Sequence, residues 1–123
     1  MDGMTLNEYQ QSAMSTAVYK TEVPKEQHLD YTLLGLGGEA GELLNKRKKW
    51  LRGDFKGVES AIAGVHPAEL AILNELADVL WYVAAVADEL GTSLHNVASL
   101  GLEKLRKRQA AGTLASGATS EDR

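Results

Sequence analysis

Apolar positions along this chain recur at helical spacing, and no apolar-polar alternation runs long enough to argue for a sheet, so an all-α fold is expected. Thr5-Leu6-Asn7-Glu8 reads as a capping box and predicts a first helix reaching about Tyr19. Pro24 then falls in a polar connection. A second helix is predicted from about Asp30 to Arg52, closed by Gly53, a residue suited to the left-handed conformation that ends helices. Residues 54–66, with Gly57 and Gly64, form the longest connection, either a surface loop or a lid. Pro67 suits the first position of a third helix that ends at Gly91, and Ser93 suits the N-cap of a fourth that ends near Gly112. Four helical segments thus make one domain over residues 1–114, with residues 115–123 as a flexible C-terminal tail.

Two of these helices depart from the ordinary amphipathic pattern. Between Leu70 and Ala87 the third carries only Glu75 and Asp78 as formal charges, while leucine, valine and tryptophan cover most directions. A helix apolar nearly all round is expected to be buried. A four-helix monomer has too few neighbours to cover it, which predicts a homodimer or homotetramer. Glu75 and Asp78 share one face, and an unpaired carboxylate there costs several kcal/mol or more. They must take up a proton, pair with a base or bind a cation.

The second helix carries Gly35, Gly37, Gly38 and Gly41, each costing about 1 kcal/mol relative to alanine. Close approach of a neighbouring helix or a ligand is the usual compensation. Glu39 and Glu42 stand among these glycines, also three apart. Glu42 and Lys46 alone would be an ordinary exposed i, i+4 pair. Two helices that each bring two carboxylates can instead converge on a cluster that repels itself unless a cation sits in it. Mg²⁺ suits such a site, with Mn²⁺ as a substitute, because both favour oxygen ligands and bridge carboxylates to phosphates. One of the four acids could serve as a base toward water.

A formal net charge of −4 argues against a DNA or RNA binder. The basic residues nevertheless cluster, at Lys46 to Arg52 and at Lys104 to Arg108. They are either solvated helix ends or phosphate contacts. With no cysteine, any metal must be held by oxygen or imidazole. No run approaches the roughly 18 consecutive apolar residues of a membrane span, and Met1-Asp2-Gly3-Met4 does not resemble a leader, so a cytoplasmic, membrane-free location is expected. Trp81 and Tyr82 fit a core or subunit interface, with Tyr82, one turn after Asp78, the better placed for a site-adjacent role. His28, His66 and His95 lack metal-ligand spacing and are expected at the surface. No Walker-type phosphate loop is present.

Gly38-Glu39-Ala40-Gly41-Glu42 followed by Glu75-Leu76-Ala77-Asp78 resembles the signature of the MazG-like all-α nucleoside triphosphate pyrophosphohydrolases. The likeness extends to Asn7-Glu8-Tyr9-Gln10 near the start, Leu34 to Leu43 in the second helix, Asp78 to Tyr82 in the third and Glu103-Lys104-Leu105 in the fourth. It implies a four-helix bundle completed by oligomerisation and metal-dependent cleavage of an NTP or dNTP to the monophosphate and pyrophosphate. It also implies Glu39, Glu42, Glu75 and Asp78 as catalytic metal ligands, with Lys46, Lys49, Lys104 and Arg108 as phosphate contacts; Tyr82 joins the expected substrate contacts by its position one turn after Asp78. Gly38 replaces the signature's first acid, and Gly101 replaces an asparagine frequent in the fourth helix. Gly112, Ser116, Gly117, Asp122 and Arg123 resemble the glycine-containing, arginine-ending tail of similar members. Alternatives are a specialised relative acting on dUTP, dCTP, phosphoribosyl-ATP or an alarmone, or a non-catalytic helical module that binds metal or nucleotide. A DNA-binding domain using Lys46 to Arg52 fits the acidic balance least.

Overall fold

The computed structural model describes residues 3–112, all of whose regular elements are helical, and most of the capping signals act where the sequence places them. The Thr5 hydroxyl accepts the Glu8 N–H at 3.1 Å and the Glu8 carboxylate accepts the Thr5 N–H at 3.0 Å, opening α1 (Leu6–Met14). The helix does not reach Tyr19. Ser15 and Thr16 turn their hydroxyls back onto the carbonyls of Ser12 and Ala13 (2.6 and 2.7 Å), a local alternative to the helical ladder. The chain resumes as a single turn, α2 (Tyr19–Glu22), and a 3₁₀ turn at Lys25–Gln27 follows Pro24. The described residues therefore hold five α-helices rather than four.

The long helices fall close to expectation. α3 (His28–Arg52) ends at Gly53, whose φ of 92° only glycine adopts without strain. α4 (Pro67–Glu89) starts with its proline at the first turn, and α5 (Leu94–Ala111) is capped by the Ser93 hydroxyl. α4 runs antiparallel to α3: Gly35 meets Tyr82, Lys46 meets Glu75 and Trp50 meets His66. α1 crosses α4, and Ala13, Ala84, Ala87 and Leu94 form a small core with Tyr9, Met14, Trp81 and Val83 against it. Buried Gln10 ties α1 to the α4–α5 turn, donating to the Thr92 carbonyl (3.1 Å) and accepting the Leu94 N–H (2.7 Å).

A second cluster gathers on Tyr19, which is 2% exposed. Its ring stacks on Tyr31 and meets His28 and Trp81 edge-on, while its hydroxyl donates to Glu89 at 2.5 Å. Of the histidines expected at the surface, one is buried instead, and a second is exposed as expected while capping a helix. His28 is buried; its Nε2 donates to the Val23 carbonyl (2.8 Å) and its Nδ1 lies 3.8 Å from Glu89. His66 accepts the Ala68 N–H at 3.0 Å, capping α4, and stacks on Trp50, with Arg47 over the other ring system at 4.7 Å. Imidazole spacing along a sequence does not reveal either contact. His95 is exposed as expected.

The expectation that α4 is buried on all sides fails within one chain. Leu73, Leu76 and Leu80 are 53, 50 and 42% exposed, because α3 and α1 cover only part of the helix. With a mean hydropathy of 1.6 over 18 residues, α4 also has the length and composition of a membrane span, yet it carries Glu75 and Asp78 near its middle, where hydrocarbon penalises charge.

Of the glycines in α3, Gly35 is explained inside the chain: a Cβ there would lie 2.1 Å from the Tyr82 ring. Gly35→Ala is therefore expected to lower stability by about 1–3 kcal/mol through overpacking, despite alanine's better helix propensity. Urea unfolding measures this, and a stabilised variant would show that the ring does not rest on the backbone. Gly37, Gly38 and Gly41 face open space, so their cost has no compensation among the described residues of one chain.

Candidate active site

Glu39 follows Gly35 by one helical turn, and Asp78 precedes Tyr82 by one turn. The ring-on-backbone contact between Gly35 and Tyr82 thus sets the two acids opposite each other on antiparallel helices. Glu75, a turn earlier on α4, completes the group. One carboxylate oxygen from each of Glu39, Glu75 and Asp78 lies within 4.8 Å of the others. Glu39 and Glu75 are half-buried and Asp78 is exposed, so the cluster opens to solvent along one side.

Three carboxylates this close cannot all ionise freely. Burial, the adjacent Glu75 carboxyl and the charges of Asp78, Glu75 and Glu42 hold the Glu39 pKa above its ordinary value. Lys46 offers the compensating charge, its ammonium 3.9 Å from Glu75. Glu42 is exposed and stands outside the three-carboxylate group, and its charge acts on Glu39 more weakly than those of Asp78 and Glu75. An all-oxygen, partly hydrated and self-repelling donor set fits a hard divalent cation.

Beside the acids lies a cleft of about 350 Å³ lined by Thr16, Glu39, Asp78, Trp81 and Tyr82, a size in the range of small-molecule sites. Trp81 is fixed in its wall because the indole N–H points at the Ala13 carbonyl and the Thr16 hydroxyl (3.2 and 3.0 Å). Burial, Tyr31 and then the Glu39 and Asp78 carboxylates push the Tyr82 phenol pKa up, so it stays protonated and able to donate. Burial and Asp78 do the same to Tyr9. Tyr9 and Thr16 were not among the site residues expected from sequence. The Asn7-Glu8-Tyr9-Gln10 stretch was a signal for the first, while nothing in the sequence marked Thr16.

The other basic residues are more dispersed. Lys49 is half-buried near the end of α3, where its charge helps lower the Asp54 pKa after the Arg52 hydrogen bond has done so. Lys104 and Arg108 are half-buried on α5, a helix that packs against α1 and α4.

A family model described as the MazG nucleotide pyrophosphohydrolase domain matches residues 27–112, which is more than half of the chain. The chain belongs to the MazG family. The matched MazG region starts at Gln27, the N-cap of α3, and stops at Gly112, the C-cap of α5, so it holds all four acids. α1, α2 and the turn between them, which supply Tyr9, Tyr19 and Thr16 respectively to this MazG core, lie outside it. A curated relative, the Gene 37 protein of Mycobacterium phage L5, is 39% identical over 113 residues, covering 90% of this chain and 94% of its own. No solved structure matches. The tail residues Ser116, Gly117, Asp122 and Arg123 lie outside the described residues.

Proposed function

We propose that this MazG-family chain hydrolyses a nucleoside or deoxynucleoside triphosphate to the monophosphate and pyrophosphate, with Mg²⁺ or Mn²⁺ held by Glu39, Glu75 and Asp78. The observation that carries the reading is the convergence of these three carboxylates at the edge of a nucleoside-sized cleft. A bound divalent cation supplies charge neutralisation to phosphate oxygens and lowers the pKa of water. The chain's own groups do the rest. Glu42, exposed one turn along α3, is the spare carboxylate that accepts the proton of the attacking water. Tyr82, Trp81 and Thr16 receive the nucleoside, and Lys46 flanks the phosphates, with Lys49, Lys104 and Arg108 adding positive charge around them.

The test is product analysis with a panel of NTPs and dNTPs, including dUTP and dCTP, together with phosphoribosyl-ATP and an alarmone. Equal amounts of monophosphate and pyrophosphate are expected from at least one triphosphate, and EDTA is expected to abolish both. Orthophosphate as the product would overturn the reading in favour of a different hydrolysis, and no turnover of any compound by the folded protein would overturn it in favour of a binding module.

We further infer that a second copy of the chain covers the exposed side of α3 and α4. Leu73, Leu76 and Leu80 and the unfilled faces of Gly37, Gly38 and Gly41 support this, since small residues let helices approach closely. Light scattering is expected to give twice or four times the chain mass of 13.3 kDa, with Gly37→Ala shifting the population toward monomer. A wild-type monomer at micromolar concentration would refute it.

A further inference from the structure

Lys46 lies on the α3 face that carries Glu39 and Glu42, seven and four residues further along, and so looks across at α4 from the edge of the carboxylate group. Its ammonium is within ion-pairing range of Glu75, yet 3.9 Å is too long for a hydrogen bond. The pair is also more enclosed than the other lysine or arginine pairs found among the described residues. Its side chains are 27 and 16% exposed, against 37 and 34% for Lys20 with Asp88 and 57 and 41% for Arg52 with Asp54. A lysine is thus turned in toward the acids without being locked there.

We propose that Lys46 is the resident counter-ion of the carboxylate cluster and leaves it when a divalent cation enters. The proposal rests on the metal reading above. Three carboxylates within 4.8 Å need positive charge in order to stay ionised, and an ammonium on a flexible four-carbon stem supplies it with little geometric demand. A divalent cation held by the cluster would compete for the Glu75 carboxylate, carry twice the charge and repel the ammonium, so the two do not share the site. The displaced ammonium stays tethered one turn beyond Glu42. It becomes available to a substrate phosphate only after the metal is in place, which makes metal loading a condition for full phosphate binding.

Mn²⁺ titration of the metal-stripped full chain, followed by calorimetry and by the free-Mn²⁺ electron resonance signal without nucleotide, tests the exchange. Lys46→Met and Lys46→Gln are expected to bind Mn²⁺ roughly three- to tenfold more tightly than wild type, since the metal no longer breaks an ion pair. Lys46→Arg keeps the charge and is expected to stay within about twofold of wild type on the same reasoning. Unchanged affinity in Lys46→Met and Lys46→Gln would make Lys46 a bystander, and weaker binding would make it part of the site's scaffold; either result overturns the exchange. Far-UV circular dichroism establishes that each variant is helical. If wild type and all folded variants alike fail to bind Mn²⁺, the metal reading itself falls, and the exchange with it.

Discussion

Asp78→Asn is expected to lower kcat/KM for triphosphate hydrolysis by about a thousandfold or more, while leaving the helices intact. The amide keeps the size and shape of the side chain but removes one of the three charges that converge within 4.8 Å, and stabilisation of developing phosphate charge is commonly worth that much. Asp78 is exposed, so its replacement opens no cavity. Metal-free stability is expected to hold or rise, because a repelling charge has gone. The same repulsion fixes a pH dependence. The folded chain holds the Glu39 proton more tightly than the unfolded chain does, so without metal this residue costs stability as pH rises from its ordinary value of 4.5 through the raised folded value. Steady-state kinetics and urea unfolding at several pH values measure both effects. Activity within tenfold of wild type for Asp78→Asn would remove the cluster from the chemistry.

Tyr19→Ala is expected to destabilise the chain by about 3–5 kcal/mol, as large aromatic truncations in packed interiors do. Tyr19 joins the single turn of α2 to the start of α3 through His28 and Tyr31, and to α4 through Trp81 and Glu89. Burial, then the Glu89 carboxylate it donates to, push its phenol pKa upward, so the hydroxyl remains a donor at neutral pH. Tyr19→Phe keeps the ring and removes that donor, for an expected loss of about 1–2 kcal/mol. Thermal or urea unfolding separates the two contributions. Equal losses for both substitutions would mean that the hydroxyl, rather than ring packing, carries the cluster.

What the sequence disclosed follows from how local each signal is. The Thr5 capping box, Gly53, Pro67 and Ser93 act within one turn of themselves, and each stands where it was expected. The early end of α1 was hidden because Ser15 and Thr16 are tolerated in helices and break this one only through their hydroxyl bonds. Spacing of three on each of two helices identified the four acids but not their arrangement. Whether Glu42 joins Glu39, Glu75 and Asp78 depends on the inter-helix packing, which leaves it exposed. His28 was misjudged for the same reason, since Glu89, which it faces, is distant in sequence. The four glycines looked alike as letters, yet only Gly35 has a neighbour inside the described chain.

The contact of Gly35 with Tyr82 has a mechanical consequence. It sits one turn from Glu39 on α3 and one turn from Asp78 on α4, so a flat ring laid on bare backbone acts as the spacer between the two arms of a calliper. Any side chain added at Gly35 would be a shim that pries the jaws apart, and a smaller residue at position 82 would let them close. The spacing between Glu39 and Asp78 is thereby gauged by two residues that carry no charge themselves.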